Sequence, residues 1–390
     1  MRLNMNEWKK VKLKDCVKEV NERTSENNQY EVLTSSKSGI YSQEDYFDKQ
    51  VASKDNVGYK IIKRGQFTYR SMSDNGTFTI NRLENKDIGI VSPAYPVFEA
   101  TDINAEYLKY FFQSERFRKE IYNLSQGSTR TALKYKDLSN IDILLPPIEE
   151  QEKIVKTLKK LDFIIEKYRN ILEEKNKLIK SQFVDIFGKD IYEVVKLNDV
   201  CDVRDGTHDS PSYLSYSPYK FITSKNLVDG KISFENVKYI EKKDYDKFNE
   251  RSKVNYGDIL MPMIGTIGNP VIVDIKDEQI DFAIKNVALI KFYKNTKVNN
   301  IYIKSLLMSN SFNKMIELTK KGGTQQFVAL KDIRNFNIKL PPIKLQNSFA
   351  EIVQQIEKQK LLLEQQKQNY QNLRKGLMQK LLTGKVRVKI

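Results

Sequence analysis

The only histidine of the chain, His208, stands in Arg204-Asp-Gly-Thr-His-Asp209, where neighbouring carboxylates could orient an imidazole for proton transfer. A lone histidine among acids is far more often a hydrogen-bonding loop residue, and no nucleophile or second base accompanies it. Other chemistries fail on spacing. No Gly-x-x-x-x-Gly-Lys-Ser/Thr phosphate loop occurs, and Gly265-Thr-Ile-Gly268 is too short for a Gly-x-Gly-x-x-Gly turn. An adenine N6-methyltransferase needs a polar residue before a Pro-Pro pair and an aromatic after it. Both Pro-Pro pairs here follow Leu and precede Ile. No Pro-Asp dipeptide starts a metal-nuclease cluster. Cys16 and Cys201 make neither a disulfide framework nor a Cys-x-x-Cys site. Catalytic, cofactor-binding and metal-binding residues are therefore expected to be absent.

The remaining polar constellations suit DNA contact rather than bond making. Tyr69-Arg70-Ser71-Met72-Ser73-Asp74-Asn75-Gly76-Thr77 reads as a strand end running into a Gly-containing loop. Its Arg70 could read guanine and its Asn75 adenine, with Tyr69, Ser71, Ser73 and Thr77 as further contacts. Asp74-Asn75-Gly76 is equally an ordinary turn signal. In the second half the candidates are Arg204, Thr207 and His208; Ser224, Lys225 and Asn226; and Lys285 and Asn286. Each of these stretches could also be a solvated loop. Arg130, Gln325 and Gln326 sit in Gly-containing loops whose amides could cradle phosphates.

Charge agrees with a polyanionic partner. The chain has 390 residues, 66 Lys+Arg against 50 Asp+Glu, and a net charge of +16. At about 150 residues per domain this length implies two or three domains. Residues 1–148, 149–190, 191–344 and 345–390 carry net +3, +1, +6 and +6. Arg374, Lys375, Lys380, Lys385, Arg387 and Lys389 form an acid-free tail, suited to a DNA contact or to a capped, solvated helix end. The 40% hydrophobic content is enough for real cores. No run of 18 apolar residues suggests a membrane span, the polar N-terminus is unlike a secretory signal, and two cysteines fit a reducing cytoplasm.

An internal repeat organises these elements. Residues 127–148, GSTRTALKYKDLSNIDILLPPI, align without a gap to 322–343, GGTQQFVALKDIRNFNIKLPPI, at an offset of 195. A weaker match joins Trp8-Lys-Lys-Val-Lys-Leu13 to Tyr192-Glu-Val-Val-Lys-Leu197. The central parts, roughly 25–120 and 205–315, barely match, so one scaffold is expected to carry two different surfaces. These parts read as mixed α/β, with strands near 67–70, 88–91, 141–145, 254–260, 271–274 and 287–292. Single helices are expected at 105–121 and 300–318.

A long helix should follow each Leu-Pro-Pro-Ile. In the first, Ile154, Leu158, Leu161, Ile165, Tyr168, Leu172, Ile179 and Ile186 recur at the coiled-coil period, with Lys175 in the seam. In the second the series is Phe349, Ile352, Ile356, Leu363, Tyr370, Leu373 and Leu377, with Gln359 and Gln366 in the seam. Two readings stay open: antiparallel packing of the two helices within one chain, and parallel pairing between chains. The expected organisation is two lobes at 1–148 and 189–344, long helices at 149–188 and 345–390, and a basic tail ending the second.

With these features the chain resembles the specificity subunit of type I restriction–modification systems over essentially its whole length. The resemblance rests on the duplicated Gly-Ser/Gly-Thr…Lys-Asp-Leu/Ile…Leu-Pro-Pro-Ile block leading into a long helix. The helix endings Ser181-Gln-Phe-Val-Asp-Ile-Phe-Gly188 and Gly376-Leu-Met-Gln-Lys-Leu-Leu-Thr-Gly-Lys385 also look like the family's. Glu149-Glu150-Gln151 is close to the family's Pro-Pro-x-x-Glu-Gln, whereas Lys344-Leu345-Gln346 lacks the acid. Tyr256-Gly-Asp-Ile-Leu260 through Gly268 is similar to a recurrent recognition-domain motif. Arg64-Gly-Gln-Phe-Thr-Tyr-Arg70 stands at its place in the first half without the later Gly-x-x-Gly. The resemblance implies two α/β (α+β) target recognition domains on an antiparallel coiled coil, related by a pseudo-two-fold internal repeat. Each domain would read half of a bipartite double-stranded DNA target. It also implies two methyltransferase subunits and restriction subunits as partners, which would carry S-adenosylmethionine, ATP and Mg. The competing reading is an architectural DNA-binding protein without sequence choice, which would have little use for two unlike surfaces.

Overall fold

The two copies of the Leu-Pro-Pro-Ile block close their lobes in the same way. In the computed structural model, which describes residues 8–46, 55–73, 76–124, 131–189, 191–265, 267–293, 296–320 and 326–388, the block's strand pairs with the lobe's first strand. Lys9–Lys12 runs antiparallel to Asp142–Leu145, with Lys9 opposite Leu145. Glu193–Lys196 runs antiparallel to Asn337–Leu340, with Glu193 opposite Leu340. Leu13 N then donates to Ile141 O and Leu197 N to Phe336 O.

The chain divides into two units, Met1–Arg169 with Gln365–Ile390, and Asn170–Glu364. Each contains a four-stranded antiparallel sheet with the same order of elements. The first unit's order is Val17–Glu19, Val97–Ala100, Phe67–Thr68, Asn81–Arg82; the second's is Cys201–Asp205, Val287–Phe292, Ile259–Pro262, Val271–Ile272. The sequences of these strands share little, yet the turn into the third strand of each order is built alike. Gly65 and Gly257 adopt positive φ, 91° and 82°. The following side chain caps the turn: Gln66 Oε1 accepts from Lys63 N at 2.8 Å, and Asp258 Oδ2 from Asn255 N at 2.8 Å. This turn makes the strand Ile259–Pro262 begin later than the expected 254. The second unit adds Lys238–Tyr239, Lys220–Ile222 and Phe282–Ile284, the last two in parallel.

The repeat extends further than the sequence motif. Asn104 Oδ1 accepts from Glu106 N and Tyr107 N, and Asn299 Oδ1 from Ile301 N and Tyr302 N, capping equivalent helices. Tyr107 Oη donates to Leu144 O at 3.0 Å, and Tyr302 Oη to Lys339 O at 2.6 Å. Gln151 and Gln346, fully or almost fully buried, accept from Asn104 N and Asn299 N at 2.8 Å and donate to Pro146 O and Pro341 O at 2.8 Å. A Gln can serve both a donor and an acceptor, which is why it sits where a helix start meets buried backbone.

The helix expected at 105–121 is two helices, Ala105–Gln113 and Glu115–Leu124; that at 300–318 is Asn300–Leu307 and Asn310–Thr319. Ser114 and Ser309 interrupt them, each Oγ accepting from the backbone of a buried Phe, Phe117 or Phe312. A serine that recaps the next turn competes with helix continuation.

The long helices span Ile148–Phe187 and Ile343–Leu382, about 60 Å each at 1.5 Å per residue. They pair antiparallel within the chain. In the first unit the Tyr168 and Tyr370 rings lie 5.6 Å apart and Tyr168 Oη donates to Gln366 Oε1 at 3.0 Å. In the second, Lys175 Nζ donates to Gln359 Oε1 at 2.8 Å and Phe187 packs edge-on to Phe349 at 5.3 Å. The polar seam residues therefore meet one another, a register-setting arrangement. Ile352 and Leu373 do not belong to the seam: they are 36% and 53% exposed, while Val353, Ile356 and Met378 are buried. A helix of 3.6 residues per turn drifts away from a strict 3.5 repeat, which moves the buried stripe onto neighbouring positions.

Two cations of the basic tail, Arg374 and Arg387, are docked on the first unit and are not left to solvent, whereas Lys375, Lys380 and Lys385 are exposed. Arg374 Nε pairs with Asp162 and its Nη2 donates to Gln113 Oε1 at 2.9 Å. Lys375 lies 3.1 Å from Glu115. Arg387 donates two bonds of 2.7 Å to Glu150, which is fully buried, and lies over the Trp8 ring at 5.3 Å. Lys389 lies outside the described residues.

Candidate nucleic-acid interface

In the second unit, loops from several strands leave one end of the four-stranded sheet. Asp205 and Met261 both stand opposite Ala288, so the chain beyond each exits at the same edge. Gly206 N donates to Val287 O at 3.0 Å and Thr207 N to Ile284 O at 3.1 Å. A Cβ on Gly206 would stand 2.4 Å from Ile284 O, so this approach requires glycine. Lys285 N donates to Ile222 O at 2.9 Å, which brings the 223–226 turn to the same edge. Three stretches that the sequence offered separately are thereby gathered into one loop cluster.

His208 ties the cluster together. Its Nε2 lies 3.0 Å from Asp205 Oδ2 and its Nδ1 2.7 Å from Asn286 Oδ1. Asp205, only 7% exposed, also pairs with Arg251. Arg204 donates to Arg251 O at 2.8 Å and to Asp202 Oδ2 at 2.8 Å. The hydrogen bond to Asp202 holds the Arg204 guanidinium above its ordinary value. Lys247 pairs with Asp209 at 3.0 Å. Arg251 and Lys247 belong to the helix Lys242–Ser252, which sequence reading missed. The alternating charges of KKDYDKFNERS were its signal.

The repeated Gly block lies beside the loop that leaves the sheet's third strand in both units. In the first, Met72–Ser73 pairs with Thr131–Ala132 and Leu133 N donates to Ser71 O at 2.9 Å. In the second, Ile264 bridges Phe327 and Val328 N donates to Met263 O at 3.0 Å. Arg70 and Thr77 are exposed, while Ser71 and Ser73 are half-buried. Gln326, Lys225 and His208 are exposed; Arg204, Thr207, Ser224, Lys285 and Asn286 are half-buried. Asn75, Arg130 and Gln325 lie outside the described residues.

Two candidates are corrected. Tyr69 is 0% exposed and its Oη donates to Leu133 O at 3.1 Å, so it is a core residue that anchors the repeated block. Asn226 is 7% exposed; its Oδ1 accepts from Thr223 N and Oγ1, and its Nδ2 donates to Ser233 O. Its side chain is consumed in capping a turn and cannot reach a base.

Burial pushes the Cys16 thiol up to about 11 and the Cys201 thiol up to about 12, so neither is a nucleophile at neutral pH. Among the described residues no group of three or more His, Cys, Asp or Glu side chains is placed to hold a metal ion. The exposed and half-buried groups named above are hydrogen-bonding side chains and cations at or near strand ends. Such groups can contact phosphates and base edges.

The family model described as type I restriction modification DNA specificity domain matches the chain twice, over residues 5–174 and 189–370. The chain belongs to this family. A specificity subunit is thus built here from two copies of the domain. The type I restriction enzyme MjaVIII specificity subunit of Methanocaldococcus jannaschii is 27% identical over 300 residues, covering 72% of this chain and 70% of the relative. The MjaIX specificity subunit of the same organism is 27% identical over 323 residues, covering 73% of this chain and 69% of the relative. Among solved structures, a chain from work on complex assembly and conformational transition of the type I R-M system superposes with a TM-score of 0.60. It shares 18% identity, and the match covers 99% of this chain and 100% of that one. The type I restriction-modification S subunit from M. genitalium gives a TM-score of 0.50 at 14% identity, covering 98% of each chain. At these identities the structural likeness establishes the fold. Among the described residues no helix is long and apolar enough to cross a membrane.

Proposed function

We propose that this specificity subunit reads a bipartite double-stranded DNA target, one half-site per lobe, and takes no part in bond making itself. One observation carries the reading: the two units share a strand order and the Asn104/Asn299 and Gln151/Gln346 framework, but their central sequences, roughly 25–120 and 205–315, barely match. A binder without sequence choice has no need of two different surfaces on one scaffold. Cations around the loops supply affinity that falls with salt. Base-edge contacts from the loops supply the choice of sequence. The antiparallel helices fix the distance between half-sites, as the separation of readers does in other two-part DNA-binding proteins. Two methyltransferase subunits, and restriction subunits where present, assemble on this scaffold in the cytoplasm. They bring S-adenosylmethionine, ATP and Mg.

The test is methylome sequencing of cells expressing the chain with its partner methyltransferase. The expected result is one interrupted motif of two unlike halves. Arg70→Ala should relax one base pair in one half only. Methylation without a sequence motif would favour the architectural reading instead.

A further inference from the structure

The His208 contacts carry a consequence for how the second lobe reads DNA. Both ring nitrogens face oxygen atoms: Nε2 faces Asp205 Oδ2 at 3.0 Å and Nδ1 faces Asn286 Oδ1 at 2.7 Å. Two acceptors require two N–H donors, which is the imidazolium form. In that form the Asn286 carbonyl is held by the ring and its NH₂ is turned away from it. A neutral ring has one N–H. The buried, Arg251-paired Asp205 carboxylate claims that proton for Nε2, and Nδ1 becomes an acceptor. The Asn286 amide must then rotate by half a turn, donating its NH₂ to Nδ1 and presenting its carbonyl outward.

We propose that His208 is a positioning residue for base reading, whose protonation state decides which end of the Asn286 amide faces the DNA. This rests on the reading of the second lobe as a sequence reader. Asn286 suits the task because its backbone is fixed: φ is 53°, and its N–H donates to Thr207 O at 3.3 Å. With the backbone held, only the amide can change. The charged groups around the ring come from each element packed there. Asp205 and Asp209 flank it on its own loop, Arg251 and Lys247 come from the helix Lys242–Ser252, and Lys285 precedes Asn286. Arg204, paired with Asp202, donates to Arg251 O. Arg251 and Lys247 are each occupied by a carboxylate, so they accompany both forms of the ring. An outward NH₂ selects an acceptor edge, such as guanine O6/N7 or thymine O4. An outward carbonyl selects an amino group, such as cytosine N4 or adenine N6.

The experiment uses the full-length chain and a randomised duplex pool, selected at one pH where the ring is charged and one where it is neutral. His208 is the only histidine, so one set of ¹⁵N imidazole resonances reports its protonation and tautomer without assignment. The expected result is a change of about tenfold in base preference at one position of one half-site, from an acceptor base to a donor base as pH rises. That change should follow the imidazole titration. His208→Gln should remove the pH dependence, and Asn286→Ala should erase the preference at that position at both pH values. Identical base preferences across the imidazole titration, or an unchanged preference in Asn286→Ala, would overturn the proposal. A pool that yields no motif at either pH would instead overturn the sequence-reading function.

Discussion

Replacing Arg387 with alanine should destabilise the first unit far more than an ordinary tail substitution. Glu150 has no solvent exposure, and its carboxylate accepts two Arg387 bonds of 2.7 Å and one Trp8 Nε1 bond of 3.0 Å. Arg387→Ala removes two of the three and leaves a buried charge with one indole donor. Breaking a buried pair from one side costs about 3–5 kcal/mol. The remaining Trp8 bond and water entering the vacated space place the expected loss near 3 kcal/mol. At a urea slope of about 2–3 kcal/mol per molar, the midpoint should fall by about 1–1.5 M. The assay is equilibrium unfolding followed by tryptophan fluorescence. Trp8 is the only tryptophan and touches the pair directly, so it reports the first unit alone. The second copy of the repeat has Leu345 where the first has Glu150. Glu150→Leu combined with Arg387→Leu should therefore recover most of the loss, because removing both charges leaves none unpaired. A change below about 0.5 kcal/mol in Arg387→Ala, the size of an exposed pair, would refute the docked tail.

Other perturbations test other links of the argument. Gly206→Ala should cost the second unit about 2 kcal/mol or more in denaturant unfolding, because the new methyl meets Ile284 O at 2.4 Å; a neutral result would mean the loop is not seated there. Hydrogen bonds from Lys10 and Lys12 hold the Asp142 carboxyl at about 2, below its unfolded value near 4. Its contribution to stability is present above about pH 4 and is lost as pH falls towards about 2, so Asp142→Asn should flatten that part of an acid-unfolding curve. Cys16 and Cys201 should react with a thiol reagent at neutral pH only as fast as the chain unfolds. Rapid labelling of the native protein would contradict their burial.

The parts of the fold that repeat were legible because their residues satisfy backbone groups that both lobes share. The Leu-Pro-Pro-Ile block and the coiled-coil stripe show in composition and period alone. The block's true extent, from Asn104 and Asn299 onward, was hidden because only the capping Asn, the Tyr, the Ser and the Gln recur among dissimilar neighbours. The common sheet left less trace. Its strands are two to six residues long, and many sequences fill such strands equally well. Tyr69 is a case where the local pattern held the answer: alternation puts it on the same face as buried Phe67. Arg387 is the opposite case. Its partner Glu150 lies 237 residues away, and no local pattern distinguishes a cation that pairs across the fold from one left for solvent.

The central claim is that the long helices set the distance between two separately read half-sites. The direct measurement is the methylated motif of cells carrying a variant with seven residues inserted at facing positions of both helices, one coiled-coil repeat in each. Seven helical residues add about 10.5 Å, or about three base pairs of DNA. The account predicts unchanged half-sites separated by a gap about three base pairs longer. Altered half-sites, or an unchanged gap at full methylation, would contradict it.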